Sequence, residues 1–233
     1  MCTVTFIPES TTGFILTSNR DEAPNRNTIP PEVYSIDEVS MLFPKDELAG
    51  GTWFGVSNRN RLICLLNGGF TAHKREKSYR KSRGVIVTDL LARENAVDKI
   101  ANYDFKGVEP FTIVMVDWVE GSSLYEIVWD GVTVHFSEKS WVPCIWSSSL
   151  LYSEEIKKKR KSWFSEFIFN NLRPTETDVL KFHRTAGEGD LSSDVIMDRG
   201  FVKTKSITQY TKLDIGCMRY EDLQTQEITK LNF

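Results

Sequence analysis

Met1-Cys2-Thr3-Val4-Thr5-Phe6-Ile7, then Pro8 to Gly13, then Phe14-Ile15-Leu16-Thr17-Ser18-Asn19-Arg20-Asp21-Glu22 opens the chain. Thr3 to Ile7 and Phe14 to Ser18 are β-branched and aromatic runs, and Ser10-Thr11-Thr12 between them is turn material. The pattern predicts a β-hairpin. A turn centred near Thr11 pairs residue i with residue 22−i, which sets Cys2 across from Arg20, within the run Asn19-Arg20-Asp21-Glu22. A thiol near the start of the chain is then a neighbour of an amide, a guanidinium and two carboxylates.

That neighbourhood suits nucleophilic chemistry. A residue as small as cysteine permits removal of Met1, which leaves thiol and α-amine on one residue. The amine has an ordinary pKa of roughly 7.7–8.0, so it can serve as the base that a thiol needs, and no histidine is required. With Met1 attached, the amine is an amide and this base is lost. Asp21 would orient the ammonium form, and Arg20 would lower the thiol pKa or hold a substrate carboxylate. The bland alternative is an incidental Cys2 followed, after the second strand, by a solvated turn at Asn19 to Glu22.

The 233 residues are 40% hydrophobic and 12% aromatic, enough for one sizeable domain spanning 1–233. The net charge of −3 forecasts no nucleic-acid partner. No apolar run reaches membrane-spanning length and no signal peptide opens the chain. Cys2, Cys64, Cys144 and Cys217 are scattered, without C-x-x-C or Cys/His clustering. No zinc or other metal and no cofactor is expected, and the thiols read as reduced and cytoplasmic.

Further along, Ala23 to Pro31 reads as a loop and Val33 to Asp46 as short apolar pieces between turns. Thr52 to Ser57 and Leu62 to Leu66 form a second hairpin, the latter run apolar enough to be covered on both faces. Asn67 ends that strand. The basic stretch His73 to Arg83 is mainly a solvated face, but Arg80 and Arg83 precede a helix, Val85 to Arg93, whose N-terminus would favour an anion. Helices are also expected at Asn95 to Tyr103, Glu154 to Asn171 and Thr177 to Phe182, the last with Thr175 or Thr177 as cap and His183 near its end, where a cation is favoured. Phe111 to Asp117 is a buried strand. Asp130-Gly131 joins two more, with His135 half-buried on the sheet. Three closing strands cover Val202 to Tyr210, Leu213 to Tyr220 and Gln226 to Asn232.

Met1-Cys2, Asn19-Arg20-Asp21-Glu22 and Gly50-Gly51-Thr52-Trp53-Phe54-Gly55 together resemble the NRDE-motif family, also called the transport and Golgi organisation protein 2 family. That resemblance implies the fold of N-terminal nucleophile (Ntn) hydrolases, close to penicillin V acylases and bile salt hydrolases: an α+β, four-layer αββα sandwich of mostly antiparallel sheets. It implies Cys2 as nucleophile, Arg20 and Asp21 as its partners, and Asn67 as oxyanion donor, against the alternative of Asn67 making a turn. Asn19, Glu22, Arg80, Arg83, Ser148 and Lys205 would contact substrate. Ser148 stands where the family tends to have Asn, and Lys205 near where it usually has Arg. The implied activity is cleavage or transfer of an acyl group at a non-peptide C–N bond in a small molecule. The alternative on the same scaffold is a binding or trafficking protein for haem or a lipid-related ligand, with no haem-ligating signature in this chain.

Overall fold

Thirteen strands and four helices form two compact units in a computed structural model that describes residues 3–100 and 102–233. The first unit comprises residues 1–26 and 142–233, the second residues 27–141.

The first unit is built on the opening hairpin. Strand β1 (Thr3–Pro8) pairs antiparallel with β2 (Phe14–Glu22), from Thr3 opposite Asn19 to Pro8 opposite Phe14. This is the 22−i register that the sequence predicts; its extension to Cys2 lies outside the described residues. The turn closes through the Ser10 hydroxyl, which accepts from the Gly13 N–H at 2.8 Å. The second strand does not stop at Ser18. It runs on through Glu22, and Asn19, Arg20 and Asp21 are all buried in it. They are therefore not a solvated turn.

Four later strands complete this sheet: β10 (Cys144–Ser147), β11 (Lys203–Lys212), β12 (Gly216–Asp222) and β13 (Ile228–Asn232), numbered in chain order. The strand order is β10-β1-β2-β11-β12-β13, so long-range partners flank the hairpin on both sides. Between β11 and β2 the register shifts, with Thr204 opposite Asp21 and Ser206 opposite Arg20, leaving Lys205 as the extra residue of a bulge.

Two helices, α3 (Glu154–Asn170) and α4 (Glu176–Thr185), cover the first sheet. Ile7 and Ile15 meet Phe164, Val179 and Phe182 in one buried cluster, each large side chain contributing about 1.5–3 kcal/mol by its removal from water. Ser153 caps α3. Thr175 and Asp178 form a reciprocal capping box on α4, satisfying backbone donors that its first turn leaves open.

The second unit is a seven-stranded antiparallel meander in sequence order: β3 (Thr28–Ile36), β4 (Val39–Asp46), β5 (Phe54–Ser57), β6 (Arg61–Asn67), β7 (Phe111–Asp117), β8 (Ser123–Trp129) and β9 (Val134–Lys139). Residues 23–27 are loop as expected, but the β3–β4 hairpin corrects the reading of residues 28–46 as loop and irregular pieces. Pro30 and Pro31 break the strand signal there. They are accommodated because β3 is an edge strand and its register shifts between Ile29 and Glu32. Asp37 and Glu38, with φ of 50° and 64°, make the tight turn. Helix α1 (Arg83–Ala92) packs Ile86, Val87, Leu90 and Leu91 inward, against β5 and β6. Gly51 lets its start approach: a Cβ there would lie 2.3 Å from the Gly84 carbonyl carbon. Helix α2 is one short stretch, Ala96–Ile100, and does not reach Tyr103, which instead turns to bond Asp89.

Candidate active site

Strand alternation divides the motif in two. Asn19 and Asp21 point to the face that the helices cover, and Arg20 points to the other. This separates groups that the sequence reading had gathered together.

Asn19 is fully buried. Its Nδ2 donates to the backbone carbonyls of His183 and Val195, at 3.1 and 2.9 Å, and its Oδ1 accepts from His183 Nδ1 at 2.7 Å. That orientation fixes the imidazole tautomer: Nδ1 carries the proton, so Nε2 accepts from the Thr5 hydroxyl at 2.7 Å. The Asn19 amide is thereby used within the protein and not turned to a substrate. His183 is also not the helix-terminal cation expected of it. Burial, reinforced by the Arg160 guanidinium, depresses its pKa to about 3 and keeps it neutral.

Asp21 is held from both sides. Tyr152 donates its hydroxyl to Oδ2 at 2.6 Å, and Thr204 donates to Oδ1 at 2.6 Å. Thr204 Oγ1 in turn accepts the Met197 N–H at 2.9 Å. The bulge makes this possible, because it returns Thr204 to the face of its partner Asp21. The Arg160 guanidinium lies 3.7 Å over the Tyr152 ring and also bonds Thr3 Oγ1 and the carbonyls of Ser193 and Asp194. Tyr152, Thr204 and Arg160 were not anticipated. Each lies far from Asp21 in sequence, and no local pattern singles it out.

Lys205 is buried, and its Nζ donates to the carbonyls of Pro24 and Arg26 at 2.8 Å each. It fastens the segment after the motif. Desolvation, with the Arg20 charge second, lowers its pKa. Arg20 is 2% exposed opposite Ser206. Glu22 is half-buried and accepts the Ala23 N–H at 2.9 Å. Ser148 is buried just after β10, and its carbonyl accepts from the Tyr152 backbone N–H at 3.1 Å.

In the second unit, Asn67 ends β6 opposite Phe111, half-buried, with Gly68 N–H donating to the Pro110 carbonyl. Arg83 does not present an open anion site. Its guanidinium pairs with buried Glu109 at 3.2 Å and donates to the Pro110 carbonyl at 3.2 Å. His73 and Arg75 also face Glu109, at 3.3 and 3.7 Å. Arg80 pairs with Asp104 at 3.2 Å and holds the carbonyls of Asp104 and Lys106, bracing the turn before Gly107. The anions that these arginines find are the protein's own. His135 is exposed, rather than half-buried, and bonds Asp130 at 2.8 Å.

The model of the family described as Transport and Golgi organisation 2 matches residues 1–185, and the chain belongs to that family. A search by sequence against curated proteins found no match. Among solved structures, a variant of conjugated bile acid hydrolase from Clostridium perfringens superposes with a TM-score of 0.62 at 8% identity, over 99% of this chain and 92% of that one. A Caenorhabditis elegans ortholog of N-acylethanolamine-hydrolyzing acid amidase gives 0.62 at 14% identity, over 89% and 92%. Penicillin V acylase from Agrobacterium tumefaciens gives 0.51 at 8% identity, over 100% and 86%. The fold is thus the α+β fold of N-terminal nucleophile hydrolases, built on two antiparallel sheets. No helix among the described residues is long and apolar enough to cross a membrane.

Proposed function

We propose that this protein cleaves or transfers an acyl group at a non-peptide C–N or related acyl bond of a small molecule, with Cys2 as nucleophile once Met1 is removed. The observation that carries this reading is the buried Asp21 carboxylate, clamped by two hydroxyls on the strand that pairs with Thr3. Each oxygen of an ionised carboxylate can accept more than one hydrogen bond, and orienting a terminal ammonium is the role proposed for Asp21. The α-amine takes the thiol proton as sulfur attacks the acyl carbon, and returns it to the leaving nitrogen. Water or another acceptor then releases the acyl group. Arg20 is the proposed source of positive charge at the thiolate. Glu22 and Ser148 remain proposed substrate contacts. Asn19, Lys205, Arg80 and Arg83 are reassigned to holding the scaffold, because their polar groups are engaged with it. Similarity to a bile acid hydrolase and an acid amidase supports small-molecule amides as the substrate class. The four cysteines, scattered in sequence without a C-x-x-C or Cys/His cluster, support a reducing, cytoplasmic setting.

The test is mass spectrometry after incubation with activated acyl esters. The expected adduct is on Cys2 of a chain lacking Met1. Equal labelling of wild type and Cys2→Ala overturns the reading. A retained Met1, together with a saturable spectral change on haem titration, would assign the scaffold to ligand binding instead.

A further inference from the structure

Behind the Tyr152 hydroxyl that clamps Asp21 stands Arg160, a buried guanidinium to which the proposed chemistry gives no role. Tyr152 is 3% exposed and Arg160 fully buried. Three observations join them to the site. The Tyr152 hydroxyl donates to Asp21 at 2.6 Å. The Arg160 guanidinium carbon lies 3.7 Å from the centroid of the Tyr152 ring. The same guanidinium donates through Nη1 to the hydroxyl of Thr3, the residue after Cys2 in sequence. Among the described residues Arg160 has no carboxylate partner. Its donors go to Thr3 and to the carbonyls of Ser193 and Asp194. Its charge acts on the phenol ring beside it, making that hydroxyl a stronger donor.

We infer that Tyr152 is a positioning residue for acyl transfer, setting the place and charge of Asp21, and that Arg160 locks Tyr152 and the start of β1 into one rigid arrangement. This rests on the reading of Cys2 as nucleophile and Asp21 as the group that orients its amine. Arg160 touches both the strand that follows the nucleophile and the clamp on the carboxylate. Thr204 supplies the second donor to the same carboxylate, from β11. Two hydroxyl donors draw negative charge from Asp21. They limit how strongly it holds an ammonium and so keep the amine available as a base near neutral pH. Removing either donor leaves a more strongly attracting carboxylate, raises the amine pKa, and moves the onset of thiol acylation to higher pH.

The experiment measures the rate at which p-nitrophenyl acetate acylates residue 2 of the full chain as a function of pH, with the adduct located by peptide mass spectrometry. Tyr152→Phe keeps the ring beneath Arg160 and removes only the donor; Thr204→Val removes the other donor. Both are expected to shift the pH midpoint upward and to slow acylation at neutral pH by about tenfold or more. Purely structural roles would lower thermal stability without moving that midpoint. Wild-type rates and an unchanged midpoint in Tyr152→Phe overturn the inference. Should that variant not fold, an unchanged midpoint in Thr204→Val does so. If wild type forms no adduct at Cys2, the underlying reading fails instead, and the outcomes are distinguishable.

Discussion

Acidification should destabilise this protein through His183 before its carboxylates titrate. The imidazole is wholly buried between Asn19 and Thr5, and burial together with Arg160 holds its pKa at about 3, against 6.5 for the free side chain. A depressed folded-state pKa means that the unfolded chain binds the proton more readily. The contribution to stability is thus complete above about pH 6.5 and is lost progressively as pH falls toward about 3. Lowering pH from about 7.5 to about 5 protonates His183 in the unfolded chain only, which costs about 2 kcal/mol. For a chain of this size that is a fall in Tm of about 4–8 °C. Other groups also respond over this range, so the measurement is a comparison of wild type with His183→Gln by thermal or urea unfolding across pH. Glutamine can donate to Asn19 and accept from Thr5 without titrating. The variant should lose less stability on acidification than wild type, by about 2 kcal/mol at about pH 5. Parallel pH profiles would refute the assignment of His183 as a buried neutral group.

Three further outcomes follow from packing and polar satisfaction. Arg61 is buried, pairs with Asp117 at 2.7 Å and donates to the carbonyls of Leu90, Arg93 and Glu94 at the end of α1. Arg61→Ala should cost about 3–5 kcal/mol in denaturant unfolding, because Asp117 loses its partner. Gly51→Ala would drive a methyl group into the α1 backbone and should destabilise the second unit by about 1–3 kcal/mol or prevent its folding, read by circular dichroism and Tm. Thr175→Ala removes the capping box of α4 and should cost about 1 kcal/mol in urea unfolding.

The opening hairpin was legible because its information is local. Turn residues sit between two β-favouring runs, and the register follows from their spacing. The capping of α4 by Thr175 and the Asp130-Gly131 turn were legible for the same reason. The β3–β4 hairpin was obscured by Pro30-Pro31, whose cost in a sheet disappears at an edge with a register shift. The hydrogen-bond partners of the candidate site were not legible. Asn19 and Asp21 are polar residues in a strand, and only distant partners show why they are buried. Their partners lie beyond residue 150: Tyr152, His183 and Thr204. The basic stretch at His73 to Arg83 misled for the opposite reason: one buried carboxylate, Glu109, sits 36 residues along the chain from His73 and engages the charge that would have served a ligand.

The opening hairpin acquires its two flanking strands from residues 144–147 and 203–212, whereas the seven strands described within residues 27–141 form their own sheet. On a translating ribosome the second unit can therefore close while both outer edges of the hairpin still lack their neighbours. At about 5–20 residues per second, roughly 10–40 s separate synthesis of β2 from that of β11. Removal of Met1, which the proposed chemistry requires, would have time to finish in that interval. The same interval leaves two unsatisfied strand edges for a chaperone to shield.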